Sequence, residues 1–470
     1  MNTINVEVAV IGAGTAGLSA YRAAVAGGRR TVLIEGGSYG TTCARVGCMP
    51  SKLLIAASEA AHGPQKWSEF GLRVDGSIAI DGKAVMGRVK RERDRFVSFV
   101  LEGVDAIAES DRIRGYARFV DNATLIVDDH ARIVFDRAVI ATGSSTAIPS
   151  ALQAAGDRLI VNDDVFAWDD LPRSVAVFGP GVIGLELGQA LHRLGVEVLL
   201  FGRSGHVGPF SDPAVRAYAT RTFQEELALD PGAQLDGIER AGERVVVRYR
   251  GSDGMARTAR VAFVIAATGR APNVRGLGLD KTTLALDSRG VPAYDRTTMQ
   301  CGKHPIFIAG DASDDLPLLH EAADEGRIAG QNAARYPDVQ PGPRRAPLAI
   351  VFTDPQLAIA GTRYADLAPG TFVTGTASFE DQGRSRVMLR NKGLLHVYAD
   401  IATQKLVGAE MIGPDAEHIG HLLAWAIQAK LAVADTLAMP FYHPVVEEGL
   451  RTALRDAHVK LAAARLADAA

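Results

Sequence analysis

One strand–turn–helix–strand pattern occurs twice in this chain, and nothing else in it restricts the fold as strongly. Val6–Ile11 is short, apolar and partly β-branched, as a strand buried on both faces should be. Gly12-Ala13-Gly14-Thr15-Ala16-Gly17 follows, then a helical stretch to about Ala26 and a second strand, Thr31–Ile34, that ends on Glu35. The plan returns at Ser174–Phe178, with Gly179-Pro180-Gly181-Val182-Ile183-Gly184, a helix to about Leu194 and a strand at Glu197–Phe201. In each copy the residue at the end of the second strand lies 23 positions beyond the first glycine, from 12 to 35 and from 179 to 202. A single GxGxxG carries little weight. Two of them, each between strand and helix at matched spacing, predict two dinucleotide-binding domains. The first glycine permits the tight turn, the second lets the main chain approach a pyrophosphate, and the third lets the helix pack on the strand. The helix N-terminus then offers N–H groups and a partial positive charge to the phosphates.

The rest of the chain is organised around these two units. Ala138–Ile140 runs into Ala141-Thr142-Gly143, and Val261–Ala266 runs into Ala267-Thr268-Gly269-Arg270, so domain joints are expected near these small-residue turns. Residues 341–347, Pro-Gly-Pro-Arg-Arg-Ala-Pro, read as a linker. Beyond it, Gly370–Phe379, Arg386–Arg390 and Leu394–Tyr398 are expected as strands, and Ala416–Lys430 and Val445–Asp468 as helices. The expected class is α/β: two Rossmann-like domains, 1–145 with 271–345 and 146–270, and a C-terminal α+β domain over 346–470.

Charge and hydropathy exclude several functions. The 51 basic and 54 acidic residues leave a formal net charge of −3, which gives no footprint for nucleic acid or an anionic membrane. Arg88–Arg95 is interrupted by Glu92 and Asp94 and followed by Phe96, Phe99 and Val100, the pattern of a solvated face on a long helix. The most apolar region, Val175–Phe201, is broken by Gly179, Gly181, Glu186, His192 and Arg193, so a span of about 20 apolar residues is not expected. The start, from Met1 to Val6, lacks the basic and apolar regions of a secretory leader. Three cysteines are too few for a disulfide framework. A cytoplasmic location is expected.

Two of those cysteines stand together in Cys43-Ala44-Arg45-Val46-Gly47-Cys48. In a regular helix they would be separated by about 7.5 Å along the axis. That exceeds the roughly 7 Å Cα limit for a disulfide, so joining them requires a distorted backbone. Gly47 is the natural place for the distortion. A helix beginning at Pro50 and Ser51 would put Cys48 near a positive helix end, where a thiolate is favoured, and Arg45 adds charge. A zinc site would need a second ligand pair, which the sequence lacks, so no metal is expected. Inert buried thiols and a redox pair both remain open on spacing alone.

The segment Gly40-Thr41-Thr42-Cys43-Ala44-Arg45-Val46-Gly47-Cys48-Met49-Pro50-Ser51-Lys52 resembles the redox motif of the flavoprotein disulfide reductases. The resemblance covers essentially the whole chain. It includes both glycine turns, both Ala-Thr-Gly turns, Phe307-Ile308-Ala309-Gly310-Asp311-Ala312, Phe352-Thr353-Asp354-Pro355 and His443-Pro444-Val445-Val446-Glu447-Glu448. Met49-Pro50-Ser51-Lys52 is most like the dihydrolipoamide dehydrogenases of that family. Mercuric reductase is disfavoured, because the sequence ends Leu466-Ala467-Asp468-Ala469-Ala470 without a cysteine pair and keeps the His–Glu motif.

The resemblance implies a homodimeric enzyme that binds one FAD per subunit and exchanges electrons with NAD(P) and a disulfide. It places FAD against Gly12, Gly14, Gly17, Glu35, Lys52, Ala117, Thr142, Gly143, Asp311 and Ala312. It assigns NAD(P) to Gly179, Gly181, Gly184 and Gly269; Arg203 joins them on its charge and its place after the second strand. Cys48 would face the flavin and Cys43 would exchange with substrate. Lys52 and Glu186 would pair near the reactive flavin nitrogen, and His443 with Glu448 would serve as an acid–base dyad for the partner subunit. Cys301 matches no catalytic position and is expected as a packed thiol.

Three departures from the family pattern bear on substrate. NAD-using members usually carry an acidic residue where this chain has Gly202, and Arg203 follows, an arrangement suited to the 2′-phosphate of NADPH. Thr41 stands where a second glycine is common. Ala44-Arg45 replaces an apolar residue followed by Asn, which favours an anionic disulfide over neutral lipoamide. The expected activity is dihydrolipoyl dehydrogenase-like. The alternatives are an NADPH-dependent reductase of glutathione or another small disulfide, and a flavin-binding scaffold subunit. Attachment to an acyltransferase core cannot be read from the sequence.

Overall fold

The computed structural model describes residues 2–73, 75–76 and 78–468; Met1, Ala469 and Ala470, which enter the readings of the two ends, lie outside them. The chain divides into two compact units. One holds Met1–Pro50, Arg88–Ala147 and Gly269–Arg344, the other Ser51–Gly87, Ile148–Thr268 and Arg345–Ala470.

At the centre of the first unit, strand Asn2–Ile11 runs parallel to Thr31–Glu35 on one side and Ala131–Ile140 on the other. It starts four residues before the apolar run. Residues 2–5 join the ladder through their main chain to Ala131–Val134 while Asn2, Thr3 and Asn5 stay exposed. The long strand Ala131–Ile140 takes two neighbours along its other edge. Thr124–Val127 pairs antiparallel with its start, and Ile306–Ile308 pairs parallel with Ala138–Ile140. Four strands therefore end together at Ile11, Glu35, Ile140 and Ile308, the carboxyl edge where open parallel sheets form ligand sites. Helices Thr15–Ala26 and Leu319–Arg335 approach closely because small residues line the contact. A Cβ on Gly326 would lie 2.1 Å from the Ala16 carbonyl oxygen.

The second unit repeats the plan with a parallel sheet ordered Ala228–Asp230, Glu197–Phe201, Ser174–Phe178, Phe263–Ala266, Leu159–Ile160. The expected strand Val261–Ala266 is two strands in two sheets. Val261 closes Ala256–Val261 in a three-stranded antiparallel sheet, whereas Phe263–Ala266 enters the parallel one. The break falls at Ala262, whose N–H bonds the Ser174 carbonyl. The C-terminal part is a five-stranded antiparallel sheet ordered Leu348–Val351, Gln356–Gly361, Leu406–Gly413, Leu394–Asp400, Phe372–Ser378. Helices Ala416–Gln428 and Glu448–Asp468 cover it. Arg386–Arg390, expected as a strand, is not one. Gly383–Val387 is a short helix, because the Gln382 side chain accepts the Ser385 N–H at 2.7 Å and caps the turn.

A buried carboxylate ties this sheet to the nucleotide-type fold beside it. Asp212 caps helix Pro213–Glu226 through the N–H groups of Ala214 and Val215, and also binds His396 Nδ1 at 2.7 Å and the Tyr398 hydroxyl at 3.0 Å. Burial pushes its carboxyl upward, but these hydrogen bonds outweigh burial and hold it below the ordinary value. Among the described residues no helix is long and apolar enough to cross a membrane.

Candidate active site

The two glycine turns have the same geometry. Gly12 has φ +105°, and a Cβ there would lie 2.3 Å from the Ala141 carbonyl oxygen. Gly179 has φ +106°, and a Cβ would lie 2.3 Å from that of Ala267. A Cβ on Gly17 or Gly184 would meet the carbonyl oxygen of the first glycine of its own turn, at 1.8 and 1.9 Å. The third glycine is therefore demanded by the turn itself more than by the strand. Gly14 and Gly181 differ: beyond the adjoining residues of the chain, nothing lies within 4 Å of a Cβ at either. Each faces an open cradle at the start of a 12-residue helix, Thr15–Ala26 or Val182–Arg193. That arrangement fits a pyrophosphate twice.

The strand ends differ. Glu35 accepts the N–H groups of Ala13 and Gly37, each at 2.7 Å. Both oxygens retain lone pairs for ribose hydroxyls. At Gly202 a Cβ would lie 2.6 Å from the Pro231 carbonyl oxygen and 2.9 Å from Pro180 Cγ. No side chain fits there, and Arg203 beside it is exposed.

Around the first turn, Thr142 and Gly143 are clamped by Asn273, a residue the sequence reading missed. Thr142 Oγ1 donates to the Asn273 carbonyl at 2.8 Å, and the Asn273 N–H donates to Gly143 O at 2.9 Å. Asp311 accepts the Ser144 hydroxyl at 2.6 Å, and Arg270 Nε donates to the same Ser144 oxygen at 2.7 Å. Ala312 is fully buried next to Asp311. The Ala117 methyl lies in the core, which leaves only its main chain for a ligand. Gly269 has φ +102° and faces open space.

The cysteines sit on two helices, Thr42–Val46 and Cys48–His62. Gly47 separates them at φ −126°, ψ −114°, the break that the spacing requires. The second helix starts at Cys48 itself, not at Pro50, so the exposed Cys48 occupies its first turn. Cys43 is half-buried. Thr41 caps the first helix at φ +57°, in a region that favours glycine, which accounts for the glycine common there. Arg45 turns away along Gly40, with Nη1 3.4 Å from the Ser38 carbonyl oxygen. Cys301 is fully buried, and burial pushes its thiol up to about 12.

Two further pairs lie in the second unit. Lys52 Nζ is 2.9 and 2.8 Å from the two Glu186 oxygens and 4.6 Å from the centre of the Phe352 ring. His443 Nδ1 is 3.0 and 3.1 Å from the Glu448 oxygens. A carboxylate only accepts, so Nδ1 carries the proton and Nε2 is left for proton exchange. The hydrogen bond from His443 holds the Glu448 carboxyl below its ordinary value. His443 is 81% exposed. Near it in sequence, Met439, Phe441 and Tyr442 line an apolar cavity of about 520 Å³ together with Trp425 and Leu450. Among the described residues no cluster of three or more His, Cys, Asp or Glu could hold a metal.

Duplicated phosphate cradles with a C-terminal α+β sheet define a class, and the sequence matches it. Residues 6–326 match the pyridine nucleotide-disulphide oxidoreductases, and residues 348–454 match the dimerisation domain of that family. The chain belongs to this family of FAD-dependent, NAD(P)-using flavoenzymes, and its dimerisation domain supports a homodimer. It is 31% identical over 474 residues to the mercuric reductase of Shigella flexneri, covering 95% of this chain and 80% of that protein. It is 29% identical over 473 residues to dihydrolipoyl dehydrogenase 2 of Haloarcula marismortui, covering 96% of each. In fold it is similar to LpdA from Mycobacterium tuberculosis, with a TM-score of 0.81 at 24% identity over 97% of this chain and 99% of that one.

Proposed function

We propose that this protein is a dihydrolipoyl dehydrogenase-like enzyme in which Cys43 and Cys48 form the redox pair, and that it accepts NADPH at least as well as NADH. The observation that carries the thiol chemistry is the His443–Glu448 hydrogen bond, which presents Nε2 as a proton carrier on an exposed imidazole. We assign FAD to residues 1–145 with 271–345, NAD(P) to 146–270 and dimerisation to 346–470. The apolar cavity residues Trp425 and Tyr442, 66% and 80% exposed, support a face covered by the second subunit. A cytoplasmic location belongs to the same proposal.

When bound, FAD supplies a two-electron relay between nicotinamide and disulfide. The protein supplies the exchange of thiols. A dihydrolipoamide thiolate attacks the Cys43 sulfur of the enzyme disulfide, and Cys48 leaves as a thiolate favoured by its helix start. The partner subunit's His443 holds the proton removed from the substrate. As the second substrate thiol closes the lipoamide ring, Cys43 leaves with the proton the imidazole holds, and the imidazole then takes the second thiol's proton and releases it to solvent. Lys52, Glu186, Glu35, Thr142 and Asp311 bind and orient the flavin in this reading. Gly12, Gly14 and Gly17 receive its phosphates; Gly179, Gly181, Gly184 and Gly269 receive those of the nicotinamide.

The preference for NADPH is supported by Gly202, where neighbouring prolines leave no room for a ribose-binding carboxylate, and by the exposed guanidinium of Arg203. The same feature favours one second reading, an NADPH-dependent reductase of a small disulfide such as oxidised glutathione. Assays of dihydrolipoamide and oxidised glutathione, each with both nicotinamides, separate the two. Turnover of dihydrolipoamide above that of glutathione supports the first reading. Glutathione reduction by NADPH without lipoamide turnover replaces it with the second.

A further inference from the structure

Beyond the Lys52–Glu186 pair, the helix Val182–Arg193 carries two buried polar side chains that no role above uses. Gln189 follows Glu186 by three residues and Arg193 follows Gln189 by four, so all three lie on one face of the helix. All three are buried, at 6%, 4% and 7% exposure. Such groups need partners, and here each grips the same short segment, Phe352–Asp354. The Phe352 N–H donates to Glu186 Oε1 at 2.9 Å. The Asp354 N–H donates to Gln189 Oε1 at 2.8 Å, and Gln189 Nε2 donates back to the Asp354 carbonyl at 2.8 Å. Arg193 Nη1 reaches the Asp354 carboxylate at 3.2 Å, and its Nη2 reaches the Asp354 carbonyl at 3.3 Å. Glu226 closes the far side, accepting from Arg193 Nε at 2.5 Å and Nη2 at 3.0 Å, and from Gln189 Nε2 at 2.9 Å.

We infer that Gln189 and Arg193 are positioning residues for the Lys52–Glu186 pair, acting through the segment Phe352–Asp354. That segment touches the pair twice. Its N–H holds the Glu186 carboxylate, and its Phe352 ring lies against the Lys52 ammonium. Asp354 is fixed at its N–H, its carbonyl and its side chain, so Phe352, two residues earlier, has little freedom to withdraw either contact. Gln189 supplies a two-way amide clamp, and Arg193 supplies a charged anchor between Asp354 and Glu226. Both orient the ammonium without touching it. The inference rests on the reading that Lys52 and Glu186 pair beside the flavin.

The test compares holoenzymes of the wild type, Glu186→Gln, Gln189→Leu, Arg193→Met and Arg193→Lys. The readouts are kcat and KM for NADPH-driven reduction of ferricyanide, the visible absorption maximum of the oxidised flavin, and Tm. Gln189→Leu is expected to lower kcat about tenfold, since small misplacements cost catalysis steeply, with KM changed less than about twofold. It should move the flavin maximum in the same sense as Glu186→Gln, because both release Lys52. Arg193→Lys should recover part of what Arg193→Met loses. Should Arg193→Met fail to fold, the near-isosteric Gln189→Leu still decides the matter. Wild-type kcat and flavin maximum in both Gln189→Leu and Arg193→Met would overturn the inference, as would a fall in Tm alone. A Glu186→Gln enzyme with wild-type kcat and flavin maximum would overturn the reading beneath it, and the two failures are distinguishable.

Discussion

The turns at Gly12–Gly17 and Gly179–Gly184 are near copies in backbone, and the strand ends that follow them are opposites. In both turns the outer glycines are forced by main-chain oxygens within 2.4 Å of a would-be Cβ, at 2.3 and 1.8 Å in the first and 2.3 and 1.9 Å in the second. In both, the middle glycine faces empty space. Yet the first copy ends on a carboxylate tied to its own turn, and the second ends on Gly202, walled in by Pro231 and Pro180. Phosphate binding by main chain can be duplicated unchanged, because every dinucleotide carries the same pyrophosphate. Discrimination between dinucleotides has to sit elsewhere, and in the proposed reading it sits at the strand end.

The largest expected effect separates the outer from the middle glycines. Gly12→Ala meets both a collision and an unfavourable φ, and should cost on the order of 3 kcal/mol or more in unfolding experiments and yield protein without flavin. Gly179→Ala should keep its flavin and lose nicotinamide-driven turnover. Gly14→Ala and Gly181→Ala should leave Tm within about 2 °C while weakening nucleotide binding. Equal destabilisation by all four changes would break the comparison.

The strand ends give the next effect. Arg203→Glu should lower kcat/KM for NADPH by about 10- to 100-fold, the worth of one charge-assisted hydrogen bond, and leave NADH nearly unchanged. Gly202→Glu should cost about 1–3 kcal/mol of stability, because its side chain meets the Pro231 main chain. An unchanged preference in Arg203→Glu would remove the argument for NADPH.

Acid should act more strongly on the second unit than on the first through Asp212. Its folded-state carboxyl lies below the ordinary value. The stability it contributes is therefore present above the ordinary carboxylate range and lost as pH falls below about 4 through the lowered value. Urea unfolding at neutral and acid pH should show a smaller acid loss in Asp212→Asn than in the wild type. An equal loss in both would exclude this carboxylate as a cause. The smallest effect concerns thiols. After reduction, alkylation at pH 8 should label two cysteines in the native protein and the third, Cys301, only on unfolding, since its thiol is pushed up to about 12.

The parts of this structure legible in the sequence are those where sterics admit one residue type. The outer glycines of both turns could be read because no side chain fits the backbone they adopt, the middle ones from their place in the repeated pattern, and Gly47 because the cysteine spacing calls for a break there. Lys52–Glu186 and His443–Glu448 could be paired only by resemblance, since the first two lie far apart in sequence and the second two straddle a loop and a helix start. Elsewhere local pattern misled. Arg386–Arg390 holds the short apolar run Val387-Met388-Leu389 that a strand could bury, but the Gln382 cap turns the chain into a helix. The apolar run Val261–Ala266 gives no hint that it changes sheet at Ala262. Leu348–Val351, Gln356–Gly361 and Leu406–Gly413 went unread: the last two are buried and lose the alternation that marks half-exposed strands, and the first is a four-residue apolar run too short to show one. Gln189 and Arg193 did carry a signal: polar residues at helical spacing from Glu186 on an otherwise apolar helix.

The central claim is that Cys43 and Cys48 work as a redox pair with Cys48 on the flavin side. An anaerobic two-electron reduction of the holoenzyme, followed by visible absorption, tests it most directly. The wild type should develop a long-wavelength band on reduction, Cys43→Ser should show one before any reduction because its Cys48 thiolate has no disulfide partner, and Cys48→Ser should retain its flavin without one in either state. A band that survives in Cys48→Ser, or fails to form in the wild type, would contradict the account.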